Sequence, residues 1–287
     1  MPAPLRGKVC LVTGATSGIG RATARALAAQ GAEVFVLCRN RDKGETLLRE
    51  LKQETGDAQL HLLVGDLARQ ADIHRVAEQF LAAGKPLHVL VNNAGIVNTE
   101  RRVTADGFEE MFAVNHLGYF LLTERLRQRL IDSAPARVVS VASGAHAFVR
   151  GMNWDDLQYE RTPFKTFTVY GQSKLCNILW TRELARQLRG TGVTANCLHP
   201  GAVGTGLATQ NGALGKIVMW LLRPFFRSPE KGATAAIYLA TAPEVANTSG
   251  HYYYDRKPLE PKPWAKDDAA AQRLWAISEQ MVAGRGQ

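Results

Sequence analysis

A tyrosine and a lysine four residues apart, Tyr170 and Lys174, are the side chains of this sequence best suited to acid–base chemistry. Residues with this spacing lie on one face of a helix, so a helix here would place the phenol and the ammonium group one above the other. A phenol titrates at about pH 10, and a neighbouring ammonium favours the phenolate. We therefore predict a proton-transfer pair. Chance pairs with this spacing are frequent, so the interpretation depends on the rest of the sequence.

A glycine-rich turn follows the first apolar run of the chain, between a predicted strand and a predicted helix. Glycine lets the backbone turn tightly and approach a pyrophosphate, and the helix N-terminus offers free N–H groups and a positive dipole end. The lysine of an NTP-binding P-loop is absent from the pattern. The turn therefore predicts a dinucleotide phosphate site formed by Gly14, Thr16, Ser17, Gly18, Ile19 and Gly20.

The residues after the second predicted strand distinguish the two nicotinamide dinucleotides. An NAD site places an acidic residue about 20 positions after the last glycine, whereas this chain has Cys38-Arg39-Asn40-Arg41. A carboxylate would repel a 2′-phosphate, and a guanidinium can pair with one. Arg39 and Asn40 therefore favour NADP(H) over NAD(H). The alternative is that Arg39 and Arg41 are solvated loop residues.

The elements that must position these groups follow from an alternation of apolar and amphipathic segments. Short, nearly continuous apolar runs predict strands buried on both faces, at 9–12, 34–37, 60–64, 87–91, 138–141, 193–198 and 251–255. Amphipathic segments predict helices at 19–30, 42–54, 72–83, 108–131 and 168–189. We predict an α/β chain of one domain, residues 1–287, with a Rossmann-type, doubly wound parallel sheet of about seven strands and helices on both faces.

The motifs, in this order, resemble the classical short-chain dehydrogenase/reductase family. The resemblance covers nearly the whole chain and is carried by Thr13–Gly20, Asn92-Asn93-Ala94-Gly95, Ser143, Tyr170–Lys174 and His199-Pro200-Gly201. Within the family the chain is similar to the retinol-dehydrogenase-like branch. Residues 153–164 and 254–258 give a narrower resemblance, to the subfamily of dehydrogenase/reductase SDR family member 12.

The resemblance implies a role for each matching residue. Tyr170 would be the general acid in reduction and the general base in oxidation, and Lys174 would lower its pKa and bind the nicotinamide ribose. Ser143 would orient the substrate oxygen and stabilise its developing charge. Asn115 would anchor a water molecule in a proton relay. The other implied cofactor contacts are Asp66 and Leu67 at the adenine, followed by Asn93, Ala94, Gly95, Pro200, Gly201, Val203 and Thr205.

Other polar residues beside these motifs have structural interpretations. We expect at least one of Asn92 and Asn93 to stabilise the central sheet, and Ser140 to be structural. Asp155 and Asp156 fit the start of a helix or a turn better than a catalytic pair.

Two segments bear on the substrate. The residues between Ser143 and Tyr170 include Phe148, Met152, Trp154, Tyr159 and Phe164, and an aromatic loop beside an active site suits a lipophilic pocket. Residues 207–229 include the apolar run 217–222, which fits a substrate lid and an ordinary packed helix equally well. We predict hydride exchange between NADP(H) and an apolar aldehyde, ketone, retinoid or steroid-like alcohol. The alternatives are a catalytically silent NADP-binding sensor or scaffold and a peripheral membrane-surface protein.

Composition narrows the partners and the location. The net charge is +9, but the basic residues form no run, so we predict a cleft for an anionic cofactor and no nucleic-acid binding. Four dispersed cysteines favour a reducing compartment, and dispersed histidines predict no metal site. The lack of a leader and of a long apolar stretch predicts a cytoplasmic protein. The sequence leaves open a homo-oligomer, a weak membrane-surface contact, and whether the C-terminal extension, 256–287, docks on the domain or on a partner.

Overall fold

The computed structural model of the chain describes residues 4–56, 58–201 and 227–283. Its strands are β1 (Val9–Thr13), β2 (Glu33–Cys38), β3 (Leu60–Val64), β4 (Val89–Asn92), β5 (Ala136–Val141), β6 (Val193–His199), β7 (Tyr252–Tyr254) and β8 (Lys257–Pro258). They form one sheet in the order β3-β2-β1-β4-β5-β6-β7-β8. All neighbours pair in parallel except β7 and β8. The predicted Rossmann-type sheet is confirmed, with one short antiparallel strand that the sequence analysis missed.

The helices cover both faces of this sheet. They are α1 (Gly18–Ala29), α2 (Arg41–Thr55), α3 (Gln70–Ala82), α4 (Glu110–Phe112), α5 (Gly118–Asp132), α6 (Thr166–Gln187), α7 (Pro229–Thr241) and α8 (Asp268–Ala283). The sequence analysis did not assign α7, although its start carries ordinary signals. The Ser228 hydroxyl accepts a hydrogen bond from the Lys231 N–H, and Pro229 takes the first helical position. Of the predicted lid segment 207–229, residues 207–226 lie outside the described residues.

The predicted continuous helix 108–131 is wrong in one respect that matters for the site. Between α4 and α5 the chain forms a π-bulge, Ala113–Leu117, in which the Gly118 N–H donates to the Ala113 carbonyl. This turn holds one more residue than an α-helical turn, and such bulges occur often at functional sites. Asn115, a predicted site residue, lies at its centre. Helical periodicity cannot reveal the bulge, because all of its residues are buried, as are the residues directly on either side.

Alternate residues of the strands supply two separate cores. In β2, Val34 and Val36 pack in the core that includes Ala24 and Leu27 of α1, whereas Phe35 packs with Phe80 of α3 on the opposite face. Burial on both faces explains why the strands read as continuous apolar runs. The sheet order reverses at β1, which lies between β2 and β4. In open α/β sheets a ligand crevice forms at the carboxyl ends of the strands at this point.

The described residues limit other kinds of site. All four cysteines are buried free thiols. Within the same residues, no group of three or more His, Cys, Asp and Glu side chains is arranged to hold a metal ion. None of the helices in the described ranges has the length and apolarity that a bilayer span requires.

Gly14 lies where the ends of β1 and β4 approach each other, and Gly84 offers a comparison outside that contact. Both have left-handed backbone, with φ of +65° and +66°. A Cβ at Gly14 would lie 2.7 Å from the Ala94 Cα, whereas nothing lies within 4 Å of one at Gly84. Gly14→Ala should therefore lower the free energy of unfolding by about 1–3 kcal/mol more than Gly84→Ala, because only Gly14→Ala overpacks. Urea unfolding measures the difference, and equal losses would contradict the close approach.

Candidate active site

The floor of the crevice is a set of hydrogen bonds between the ends of β1 and β4. The Thr13 hydroxyl accepts from the backbone N–H groups of Asn93 and Ala94, at 2.9 and 3.0 Å. The Asn93 side-chain amide donates to the carbonyls of Thr13 and Gly14. A Cβ at Gly20 would lie 2.4 Å from that amide nitrogen, so Gly20 allows the helix to pack here. Asn93 therefore stabilises the sheet, as predicted.

Most of the predicted residues line one cleft of about 390 Å³ above this floor. They are Gly14, Thr16, Ser17, Gly18, Ile19, Arg39, Asn40, Asp66, Leu67, Asn93, Ala94, Gly95, Ser143, Tyr170, Lys174, Pro200 and Gly201. Gly20 and Asn115 lie behind the walls, and Val203 and Thr205 lie outside the described residues. A larger groove of about 750 Å³, which runs past Arg189 and Tyr252, contains none of the predicted residues.

Ser143, Tyr170 and Lys174 meet at one end of the cleft. Ser143 follows β5 and begins a short 3₁₀ helix, where its hydroxyl accepts from the Ala145 N–H at 3.1 Å. The Ser143 side chain interacts with the Tyr170 hydroxyl and favours its charged form. One turn further along α6, the Lys174 Nζ donates to the Val141 carbonyl at 3.0 Å and lies 5.8 Å from the centre of the Tyr170 ring. Serine, phenol and ammonium groups therefore converge on one point.

Burial dominates the electrostatics of the tyrosine–lysine pair. It raises the pKa of Tyr170 to about 12, against the smaller opposite effect of the Ser143 side chain. It also lowers the pKa of Lys174, which is 3% exposed, to about 7. The effect of Lys174 on the pKa of Tyr170 stays a prediction. Both groups have been removed from water, which disfavours the charged form of each.

Asn115 connects two walls of the site from behind. Its side-chain oxygen accepts from the Ile96 N–H at 2.8 Å, and its amide donates to the Ile96 carbonyl and to the Ser173 hydroxyl, both at 3.0 Å. The Ser173 hydroxyl in turn donates to the Tyr170 carbonyl at 2.8 Å. The Asn115 side chain therefore positions the turn that carries Tyr170. Its implied role as a water anchor stays a prediction.

Two cationic side chains lie at the other end of the cleft. Arg39 and Lys43 both line it, and neither forms an ion pair with a described residue. Arg41, by contrast, lies 3.8 Å from Glu45 and does not line the cleft. The sequence analysis missed Lys43, although its spacing of four from Arg39 was a usable signal. The Asn40 side chain accepts from the Lys43 N–H at 2.9 Å and so begins α2 at this position.

The structure also decides the other polar candidates. The Asn92 amide donates to the Thr123 hydroxyl at 3.0 Å, inside the protein. Asp156 accepts from the backbone N–H groups of Glu160, Arg161 and Thr162, as a turn-forming carboxylate does, and these bonds hold its pKa well below the usual range. Ser140 is buried within β5. These results confirm the structural interpretations of Asn92, Asp156 and Ser140.

The aromatic loop between Ser143 and Tyr170 mostly packs into the protein. Tyr159 is buried, and Met152, Trp154 and Phe164 are half-buried against the core. Phe148 differs, because it is 60% exposed and contacts the equally exposed Phe167 edge-on, at 5.9 Å between ring centres. A Cβ at Gly171 would lie 3.3 Å from the Phe148 Cβ. An exposed apolar pair therefore lies beside the residue that follows Tyr170.

A second cluster of contacts joins Gly201, which follows β6, to Arg227. The Gly201 N–H donates to the His199 Nδ1 at 3.0 Å, and the His199 ring stacks on Tyr254 at 4.3 Å. The Arg227 guanidinium lies over the Tyr254 ring, 4.6 Å from its centre, and pairs with Asp255. A Cβ at Gly201 would lie 2.8 Å from the Arg227 Cδ. Gly201 and Arg227 are thus held together beside the cleft.

Comparison with known proteins agrees with this geometry. A family model described as short chain dehydrogenase matches residues 8–155 and 157–213. The chain belongs to the short-chain dehydrogenase family. It is 43% identical to retinol dehydrogenase 12 of Mus musculus over 96% of this chain and 86% of that protein. It is also 43% identical to retinol dehydrogenase 14 of Homo sapiens, over 98% and 88%.

Solved structures of this family superpose on the chain. An uncharacterized protein from Mycobacterium paratuberculosis has a TM-score of 0.78 at 32% identity and covers 97% of this chain and 94% of its own. A short-chain dehydrogenase from Burkholderia cenocepacia, in complex with NADP, has a TM-score of 0.69 at 25% identity, over 87% and 96%. This short-chain dehydrogenase is therefore an oxidoreductase of the retinol-dehydrogenase-like branch. It uses a nicotinamide dinucleotide, NAD(P)(H), and acts on a small-molecule substrate.

Lys174→Met should raise the Tm of the protein without cofactor, most strongly below about pH 7. Native Lys174 loses its proton at about pH 7, whereas an unfolded lysine keeps it to about pH 10. Between these values the unfolded state binds more protons, so this group makes wild-type stability rise by up to about 1.4 kcal/mol per pH unit. The variant lacks this dependence of stability on pH, so the Tm values of Lys174→Met and of the wild type should approach each other near pH 10.

Thermal unfolding followed by fluorescence from about pH 6 to pH 10 measures this effect. Lys165→Met is the matched control, since it replaces an exposed lysine at the start of the same helix. A Tm difference for Lys174→Met that does not change with pH would contradict the lowered pKa.

Proposed function

We propose that this short-chain dehydrogenase exchanges a hydride between NADP(H) and a lipophilic carbonyl compound or alcohol of the retinoid type. One observation carries the proposal: the cleft has Ser143, Tyr170 and Lys174 at one end and Arg39 and Lys43 at the other. Proton-transfer groups and phosphate-binding cations thus lie at opposite ends of one groove. An elongated dinucleotide with a 2′-phosphate fits that distribution of charge.

The residues of the cleft fit the implied cofactor. At the turn after β1, left-handed Gly14 and Gly18 bring backbone close to the cleft, and the start of α1 directs its free N–H groups towards it. Arg39 supplies a planar guanidinium and Lys43 a compact ammonium, and both groups suit a phosphate monoester. No acidic residue follows β2 at this point. These features support NADP(H) as the preferred dinucleotide.

The dinucleotide supplies or accepts the hydride, and the side chains of this chain manage the proton. With a pKa of about 12, the Tyr170 hydroxyl is protonated at neutral pH and can donate to a substrate oxygen in reduction. Ser143, which lines the same end of the cleft as Tyr170, can donate to the same oxygen and stabilise its developing charge. Oxidation requires the phenolate, and Lys174, 5.8 Å from the centre of the Tyr170 ring, favours that form when it is protonated.

The retinoid assignment rests on similarity and on an exposed aromatic pair near Tyr170. The relatives include retinol dehydrogenases 11, 12, 13 and 14, and this protein matches them along nearly its whole length. The exposed Phe148–Phe167 pair lies beside Gly171, the residue after Tyr170, and forms an apolar edge there. Such an edge favours an apolar substrate over a sugar or an acid.

Several narrower expectations stay predictions. Similarity to the subfamily of dehydrogenase/reductase SDR family member 12 rests on residues 153–164 and 254–258 alone. One domain over residues 1–287, a lid at 207–229, a cytoplasmic location and the absence of nucleic-acid binding also remain expectations from the sequence. A weak membrane-surface contact and a homo-oligomer remain open.

The cofactor proposal predicts how Arg39 and Lys43 distinguish NADPH from NADH. Arg39→Ala and Lys43→Ala should each raise the Kd for NADPH roughly ten-fold, because each removes a charged hydrogen bond, and leave the Kd for NADH unchanged. Fluorescence titration of each variant with both dinucleotides measures this. Arg41→Ala is the control, since Arg41 pairs with Glu45 outside the cleft. Equal affinity of the wild type for NADPH and NADH would contradict the 2′-phosphate argument.

The catalytic proposal predicts that Tyr170→Phe abolishes turnover while dinucleotide binding persists. Loss of the phenol hydroxyl that transfers the proton should lower kcat by at least about 100-fold. The assay is reduction of retinaldehyde by NADPH, and Tyr238→Phe, which removes a phenol on α7, is the control. A variant that keeps wild-type kcat would overturn the role of Tyr170. A wild-type preference for charged sugars or acids would overturn the substrate class.

A further inference from the structure

We infer that the C-terminal helix α8 is a positioning element of the active site, acting through Ser278 and His116. The inference rests on the proposed function and deepens it. The Ser278 hydroxyl and the His116 Nε2 are 2.8 Å apart, and both residues are fully buried. His116 belongs to the π-bulge Ala113–Leu117, directly after Asn115. Helix α8 thus contacts the turn on which Asn115 is placed.

Successive residues of the bulge have separate partners. Val114 lines the cofactor cleft. Asn115 bonds Ile96 and Ser173, and through Ser173 reaches the Tyr170 carbonyl. Gly118, which closes the bulge, would place a Cβ 3.0 Å from the Leu67 Cβ at the predicted adenine end. His116 is directed instead towards α8. A displacement of this turn would therefore shift residues at both ends of the cleft.

The direction of the Ser278–His116 hydrogen bond follows from its neighbours. The Ser278 hydroxyl donates its single proton to the Leu274 carbonyl, at 2.8 Å. Its oxygen must therefore accept from His116, which places the imidazole proton on Nε2. Burial lowers the pKa of His116 to about 3, so the ring carries no second proton at neutral pH. No described residue hydrogen-bonds its Nδ1. The bond to Ser278 is therefore the polar contact that orients this ring among the described residues.

Other contacts hold α8 in place without Ser278. Trp275 packs edge-on against Phe120 of α5 at 5.0 Å between ring centres, and the Arg127 guanidinium lies over the Trp275 ring. At the two ends of the helix, Asp268 pairs with Arg182, and the Met281 carbonyl accepts from Gln70. Loss of the Ser278 hydroxyl should consequently leave α8 docked and free only the His116 ring. A variant without the Ser278 hydroxyl therefore tests the positioning of the π-bulge separately from the attachment of α8.

Ser278→Ala should lower kcat for retinaldehyde reduction about ten-fold while the Kd for NADPH changes less than about two-fold, because the bond it removes leads through the bulge to the Tyr170 turn. Ser278→Thr keeps the hydroxyl and should restore kcat. Leu274→Ala is the matched control. It removes a fully buried side chain from the same helix, so it should lower Tm with no comparable loss of kcat. Mass-spectrometric hydrogen exchange at residues 113–118 gives a readout independent of turnover, and Ser278→Ala should accelerate it.

Equal effects of Ser278→Ala and Leu274→Ala on Tm and kcat, with unchanged exchange at 113–118, would overturn the inference and leave α8 a structural helix only. Failure of Ser278→Thr to restore kcat would also overturn it. A wild type without turnover would contradict the proposed function instead. The exchange rates of the Ser278→Ala and Ser278→Thr variants would then decide the link by themselves.

Discussion

The hydrogen bonds between Thr13 and the turn after β4 are the constraint from which the rest of the site follows. A parallel sheet that reverses its order at β1 opens a crevice there, but the crevice needs a floor. Thr13 and the Asn93 side chain build it by satisfying the backbone groups at the ends of β1 and β4. Gly14 then meets Ala94, and Gly20 lets α1 approach the Asn93 amide. These hydrogen bonds position the glycine-rich turn after β1, the turn after β4 and the catalytic end of the cleft.

The catalytic end shows a conflict between folding and chemistry. A buried lysine whose described side-chain hydrogen bonds go to one backbone carbonyl does not favour the folded state at neutral pH, and burial also disfavours the phenolate that the chemistry needs. Other residues hold both groups in place. The Asn177 amide donates to the same Val141 carbonyl as Lys174, and Asn115 supports the turn that carries Tyr170. Because burial disfavours an isolated charge, the protonation of Tyr170 and Lys174 is sensitive to the charge of a bound ligand.

The sequence predicted the features that have a local signal. Apolar runs and glycine turns located the strands and the phosphate-binding turn, and the spacing of Tyr170 and Lys174 located the reactive helix. Features that depend on tertiary contacts were missed. The Asn115 side chain, at the centre of the π-bulge, bonds Ile96 on another turn, and no periodicity in the sequence encodes that partner. The raised pKa of Tyr170 likewise depends on how much protein surrounds the ring, which residue types alone cannot show.

The packing of Arg227 against Gly201 has a consequence for substitution at position 201. The glycine has left-handed backbone, with φ of +81°, and a Cβ there would lie 2.8 Å from the Arg227 Cδ. Any other residue would therefore be strained and would push against the arginine that pairs with Asp255. Since Gly201 also lines the cleft, this wall depends on a residue without a side chain.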